Sequence, residues 1–276
     1  RTVYHARPMT VALLGVPYDG SSSYRRGPAG GPAAIRAAWD RAREYSNLFT
    51  ESGLNLATPG LLRDAGDVAV GDAAETRTAV EARVAELLAA GERPLILGGD
   101  HSITYPALRA MRAAHGPLEV LHFDAHPDLY PVYEGDRFSH ACPFARAMED
   151  GLITRLVQVG IRSATPPQLA LVEQHGVEQI PMKDWGRPMG LFFDGPVYIS
   201  FDLDVLDPAF APGVSHPEPG GLTTREAIGL LQKVHGEVVG ADLVECNPSV
   251  DAHGQTAAIA VKLIKELAAV LAGLRG

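Results

Sequence analysis

Apolar and polar positions alternate between two kinds of stretch along the chain. Short runs dense in Val, Ile and Leu, at residues 10–16, 94–97, 118–123, 155–159, 177–180, 197–201 and 238–244, read as buried strands. Between them, apolar residues recur three or four apart. Residues 73–90 set Val80, Val84, Leu87 and Leu88 at helical spacing and stop at Gly91. Residues 257–271 do the same with Ile259, Leu263, Leu267 and Leu271. Helices are also predicted at 33–45, 103–114, 141–149, 167–175 and 224–234, and residues 61–67 approach the sheet edge. Residues 46–59 and 181–196 read as irregular connections. The alternation predicts an α/β fold, a three-layer α/β/α sandwich around a mostly parallel sheet. No stretch looks like a linker, so residues 1–276 are expected to form one domain.

Three strands end alike. The segment FDAHPDLY (123–130) spaces Asp124, His126 and Asp128 two apart, and alternate side chains of an extended chain point the same way. LILGGDHS (95–102) runs through two glycines into Asp100 and His101, and VYISFDLDVLDP (197–208) ends in Asp202 and Asp204. Any one piece alone reads as a turn or a helix cap. Three such pieces, each at the carboxyl end of a strand where open α/β sheets build sites, point to a shared centre. The candidate ligands are His101, Asp124, His126, Asp128, Asp202 and Asp204. Four buried carboxylates need cations, and two divalent ions balance them. Oxygen-rich donors with some imidazole suit Mn²⁺, two per chain. Such a pair acidifies a shared water and makes a nucleophile for an electron-poor carbon at neutral pH.

GGDHS, DAHPD and SFDLDVLDPAFAPGVSHPEPGG resemble the signature segments of the ureohydrolases, the arginase and agmatinase family. The likeness extends from GVPYDGSSSYRRGP (15–28) to DLVECNPSVDAHGQTA (242–257) and is nearest to plant-type arginases and their bacterial relatives. It implies an arginase-like fold and hydrolysis of a guanidino compound to urea and an amine. It also implies that His140 serves as acid/base or proton shuttle, that Glu245 holds the substrate guanidinium, and that the protein is a homo-oligomer, a trimer or hexamer. Ala141 departs from the commoner family pattern, which has Gly after this histidine, although plant-type members also carry Ala. Asp100 is a candidate for orienting a ligand, His122 for a strand residue facing away from Phe123, and His216 and Glu218 for solvated loop positions.

The substrate tail is expected to meet loop 129–139, with residues 162–166 and 216–218 nearby. That loop offers Glu134 and Asp136 for an amine and Arg137 for a carboxylate. Acidic groups outnumber basic ones there, so agmatine is the preferred substrate. L-arginine, guanidinobutyrate and guanidine stand as alternatives.

Composition narrows the rest. An apolar content of 46% is ample for a large core, and a net charge of -9 argues against nucleic acid. Two cysteines, Cys142 and Cys246, make no disulfide framework, and no apolar run approaches a membrane span. The stretch RTVYHARPMT lacks the apolar core of a secretory signal, so a cytoplasmic location is expected, with a removed organellar leader left open. A two-metal phosphoesterase is a rival reading, but it needs cations for phosphate, and only Arg137 and Arg162 stand in suggestive places. A non-catalytic relative is a third, but it would be expected to lack ligands, and none of the six is missing.

Overall fold

The computed structural model describes residues 9–45, 48–186 and 190–273. Residues 1–8, read above against a secretory signal, lie outside these, as do 46–47 and 187–189 of the two predicted connections. Eight strands form one sheet: β1 (Val11–Gly15), β2 (Leu62–Asp67), β3 (Arg93–Leu97), β4 (Leu118–Phe123), β5 (Ile153–Val159), β6 (Glu178–Ile180), β7 (Leu191–Asp202) and β8 (Val234–Val244). Their order is β2-β1-β3-β8-β7-β4-β5-β6, and every pairing is parallel.

Strand alternation sorts the core into two layers. Leu13, Leu95, Leu121, Phe123, Ile199 and Leu243 face α1 (Gly31–Glu44), α6 (Thr224–Leu231) and α7 (Gln255–Leu271). Leu14, Ile96, Val120, Tyr198 and Val239 face α2 (Ala73–Ala89), α3 (Thr104–His115) and α4 (Pro143–Glu149). Helix α5 (Pro166–His175) adds Leu171 and Val172 to that second layer. Helix starts follow local chemistry: Asp72 and Thr223 accept backbone N–H groups at the heads of α2 and α6, each in a capping box. The three-layer expectation holds.

Strands β7 and β8 are longer than their apolar runs predict. β7 begins at Leu191 and β8 at Val234, so residues 191–196 of the predicted connection and Val234, the last residue of the predicted helix, are in fact strand, while the rest of the connection holds a short helical turn at Met182–Asp184. Gly195 and Pro196 hid this extension, because both residues normally interrupt strands. The β7–β8 register shifts between Phe192 and Pro196, and that irregularity accommodates them.

The consequence for function lies in the strand order. The chain leaves β3, skips two positions to β4, and later fills the gap with β7 and β8. The carboxyl ends of four adjacent central strands therefore open onto one crevice.

Candidate metal centre

His101 follows β3 through Gly98, Gly99 and Asp100. A Cβ on Gly99 would sit 1.7 Å from the Tyr18 carbonyl oxygen, so only glycine lets the strand end touch the loop after β1. Asp100 secures that contact. It accepts the backbone N–H groups of Ser21 at 2.9 Å and Ser102 at 3.1 Å and the Ser102 hydroxyl at 2.5 Å. Burial pushes its carboxyl up to about 6. Asp100 thus holds the backbone around His101 rather than the imidazole itself.

The six predicted ligands converge into two clusters that share one carboxylate. Nδ1 of His101 lies 3.3 Å from Asp124 Oδ2, 3.0 Å from Asp128 Oδ2 and 3.3 Å from Asp202 Oδ2. Nδ1 of His126 lies 3.3 Å from Asp124 Oδ1 and 3.0 Å from Asp204 Oδ2. Asp124 therefore turns one oxygen to each cluster. Backbone donors fix the carboxylates: His126 N–H to Asp124 Oδ1 at 2.6 Å, Ala125 N–H to Asp204 Oδ1 at 3.0 Å, and Asp204 N–H to Asp202 Oδ1 at 2.7 Å. Asp128 and Glu245 both adopt left-handed backbone, with φ of 49° and 65°. This costs of order 1–3 kcal/mol per residue and tends to persist at functional sites.

A polar row crosses the sheet behind these clusters. Asp242, Ser200, His122, Gln158 and Gln179 are successive register partners on β8, β7, β4, β5 and β6. Nε2 of His101 meets the Ser200 hydroxyl at 2.9 Å, and Ser200 donates to Asp242 Oδ1 at 2.7 Å. Gln179 donates to Gln158 at 2.8 Å, and the Gln158 amide meets His122 Nδ1 at 3.1 Å. Nε2 of His122 lies 2.8 Å from Asp124 Oδ2. With the amide donating to Nδ1, Nε2 carries the proton and donates to the carboxylate. His122 stands close enough to His101 and Asp124 to form a three-donor group. Both its ring nitrogens are already engaged, so its place is behind Asp124.

The charges in the crevice are unbalanced. Burial, with Asp204 and Asp124 beside it, drives Asp202 well above the usual carboxylate range. Burial and Asp124 push Asp204 up to about 6. Burial opposes charge on His101, but three carboxylates hold its imidazole well above the ordinary histidine value. Nδ1 of His101 and Oε2 of Glu245 are buried without a hydrogen-bond partner. Buried carboxylates around an unsatisfied imidazole nitrogen fit a pair of divalent cations.

A cavity of about 190 Å³ opens over the clusters, lined by His126, Asp128, Asp202, Asp204, Glu245 and His140 and rimmed by Ser23, Tyr130, Tyr133, Ser163, Thr165, Gln168 and His216. Its size suits a metabolite rather than a drug-sized ligand, whose pockets run to about 300–1,000 Å³. Glu245 accepts His101 N–H at Oε1 over 3.0 Å, leaving Oε2 free to receive a donor. Burial, then the nearby Asp100, drives Glu245 well above its ordinary range, which a bound cation would offset. His140 Nδ1 lies 4.0 Å from Glu245 Oε1, and its Nε2 meets the Ser23 hydroxyl at 2.8 Å. Burial lowers its imidazole to about 4.

Arg137 is not brought to the cavity. It pairs with Glu149 at 3.0 Å, with 60% of its side chain exposed, because the Tyr133–Asp136 turn points it outward. Glu134 and Asp136 also stay off the cavity wall, so no side-chain charge of loop 129–139 reaches a substrate tail from there. Arg162 donates to the carbonyls of Asp204 and Glu218 at 2.6 Å and to Gly160 at 3.1 Å, clasping the ligand loop. Neither cation of the phosphoesterase reading faces the crevice. His216, expected to be solvated, lines it. Ser23, Ser200, Asp242 and Gln158 were not singled out from sequence. The signal available was a lone polar residue two places before a ligand in an apolar strand, as in Ser200 before Asp202 and His122 before Asp124.

The arginase-family model matches residues 9–269. The chain is 46% identical to mitochondrial arginase 1 of Arabidopsis thaliana, over 94% of this chain and 80% of that protein. It is 37% identical to the mitochondrial agmatinase of Gallus gallus, over 98% of this chain and 83% of that protein. The solved arginase of Medicago truncatula superposes with a TM-score of 0.89 at 43% identity, covering 96% of this chain and 88% of that one. These relatives overturn the cytoplasmic expectation, because arginases of Arabidopsis thaliana and Medicago truncatula are named mitochondrial or chloroplastic/mitochondrial. Low cysteine content and the lack of a long apolar run report redox state and membrane insertion, and organellar enzymes share both. Among the described residues, no helix is long and apolar enough to cross a membrane.

Proposed function

The chain belongs to the arginase family, and from that premise we propose that it hydrolyses L-arginine to urea and ornithine with two Mn²⁺ bound. The observation that carries the amidinohydrolase reading is the pair of donor clusters sharing Asp124 beneath the unpartnered Oε2 of Glu245. His101, Asp124, Asp128 and Asp202 would hold one cation. His126, Asp124 and Asp204 would hold the other. When bound, the pair neutralises the carboxylates and supplies Lewis acidity and an activated water.

The protein's own groups do the rest. Glu245 Oε2 accepts guanidinium N–H groups in a charge-assisted contact and orients the central carbon toward the clusters. Water adds to that carbon, and the bond to the chain nitrogen breaks. The departing amine needs a proton. His140, neutral at rest and beside Glu245, takes the proton released as water adds and returns it to the amine. Ser23 holds the far nitrogen of His140 meanwhile.

Two features support arginine over agmatine. The relatives at 43–46% identity are arginases, whereas the agmatinase stands at 37%. The rim supplies neutral groups that can donate to a carboxylate, from Tyr130, Ser163 and Gln168, while the Thr165 hydroxyl donates to Tyr130 at 2.7 Å and holds it in place. It supplies no carboxylate from loop 129–139 for a lone distal amine, which removes the basis of the agmatine preference. The test is urea release from arginine, agmatine, guanidinobutyrate and guanidine at matched concentration with Mn²⁺. Arginine should lead by at least about tenfold in kcat/KM, or about 1.4 kcal/mol. Agmatine leading would overturn the substrate, and failure of all four would overturn the reaction class.

A further inference from the structure

We propose that His216 is a positioning residue for His140, a role that rests on the amidinohydrolase reading. The two imidazoles stack with centroids 5.0 Å apart and planes inclined by 18°. Ser23 holds only one nitrogen of His140. A ring tethered at one atom can still tilt about that hydrogen bond, and the stack removes this freedom. The fixed plane keeps Nδ1 directed at Glu245, where the guanidinium is expected.

The placement of His216 is itself built. Ser215 donates to the Arg25 carbonyl at 2.7 Å, Asn247 donates to Ser215 at 3.0 Å, and Asn247 N–H meets the Gly213 carbonyl at 2.8 Å. The loop carrying His216 is thus tied both to the strand end that bears Glu245 and to the loop that bears Ser23. Tyr24 lies against His216, its ring centroid 5.7 Å away. Parallel imidazoles present faces rather than nitrogens to each other, so the contact fixes geometry and does not pass a proton.

The experiment compares His216→Ala with His216→Phe, which keeps a flat ring without nitrogens. Misplacing a reacting group by about 1 Å costs up to roughly 10²-fold. His216→Ala should therefore lower kcat by about tenfold or more, with KM within about threefold and metal content unchanged, and His216→Phe should restore most of kcat. A rise in KM alone would make His216 a substrate contact, and an equal loss in both variants would mean that its nitrogens matter. Loss of metal would make it a support of the clusters, and no change would leave it without a role. Each of these results overturns the proposal. A second readout does not depend on turnover: in metal-free, ¹⁵N-histidine-labelled protein, His140 should give one sharp set of ring signals in wild type and His216→Phe, but broadened or doubled signals in His216→Ala. Unchanged signals in His216→Ala would also overturn the proposal, whereas a wild type that cleaves no guanidino compound would sink the reaction class alone.

Discussion

Around His101 every donor is buried and the imidazole is fixed from behind, whereas His126 keeps 25% of its side chain exposed to the crevice. Ser200 and Asp242 hold the far nitrogen of His101, and Gln158 and His122 hold Asp124 from the same face. Among the described residues, His126 makes no side-chain hydrogen bond like the one between His101 and Ser200; its Nδ1 faces Asp124 and Asp204, and the His216 ring stands edge-on 6.3 Å away. One half of the centre is thus set by the sheet and the other by a loop. Preorganised ligands bind metal more tightly, because less ordering remains to be done on binding. The His101 cluster should be the tight half and the His126 cluster the exchangeable one.

The largest expected effect breaks both halves at once. Asp124→Ala removes the carboxylate that, among the described residues, faces both His101 and His126, so metal content should fall from about two per chain to near zero and urea release to background. His126→Ala should remove about one metal and leave a weak residual activity. Metal analysis after gel filtration checks both variants. Asp124→Ala retaining one tightly held metal, or His126→Ala losing both, would reverse the assignment of the halves.

A smaller effect sharpens the comparison. Asp242 touches none of the six candidate ligands directly, yet it accepts from Ser200 at 2.7 Å, Thr104 at 2.8 Å and Tyr198 at 2.9 Å. Asp242→Asn would offer N–H groups where hydroxyls now donate, turning Ser200 and loosening His101. Partners behind a metal ligand are typically worth about 10–100-fold in affinity. Metal titration followed by calorimetry should show that loss for the tighter event and little change in the weaker one. Equal weakening of both events would mean that the row across the sheet supports the whole centre, not its buried half.

These contrasts also mark what the sequence could reveal. Asp124, His126 and Asp128 stand two apart just after an apolar strand, and His101 and Asp202 also follow apolar strands, so the three pieces together point to one centre; the convergence itself comes from a bend at residues 125–126 and the left-handed Asp128 rather than from an extended chain. Glu245 ends an apolar strand too, but that alone fits an ordinary strand-end carboxylate equally well, and His140 merely follows the ligand loop, so family resemblance has to tip both. The supporting row stayed hidden because Asp242, Ser200, His122 and Gln158 become neighbours only through the strand order β8-β7-β4-β5. Each alone looks like an isolated polar residue in an apolar strand. The start of β7 was obscured by Gly195 and Pro196, and the wall of the cavity by the turn that carries Arg137 away. Loop direction depends on backbone angles such as the φ of 49° at Glu134, which a pattern of residue types does not encode.

The smallest expected effect concerns that loop. By its position in loop 129–139, Arg137 is a candidate partner for a substrate carboxylate. In the fold its guanidinium meets Glu149 on α4, in an exposed ion pair of the kind worth about 0–1 kcal/mol. Glu149 is not left alone by its loss, because Arg146 also donates to it, at 2.8 Å through Nη2. Arg137→Ala should therefore change stability little and leave kcat/KM for arginine within about twofold of wild type. The same substitution would cost of order 1.5–3 kcal/mol in transition-state binding if the guanidinium met a substrate carboxylate, as charged hydrogen bonds do. Steady-state kinetics with arginine and agmatine separates the cases. A selective loss with arginine would show that the loop rearranges to bring Arg137 inward when substrate binds, and the rim of neutral hydroxyls would then not be the arginine-recognising surface.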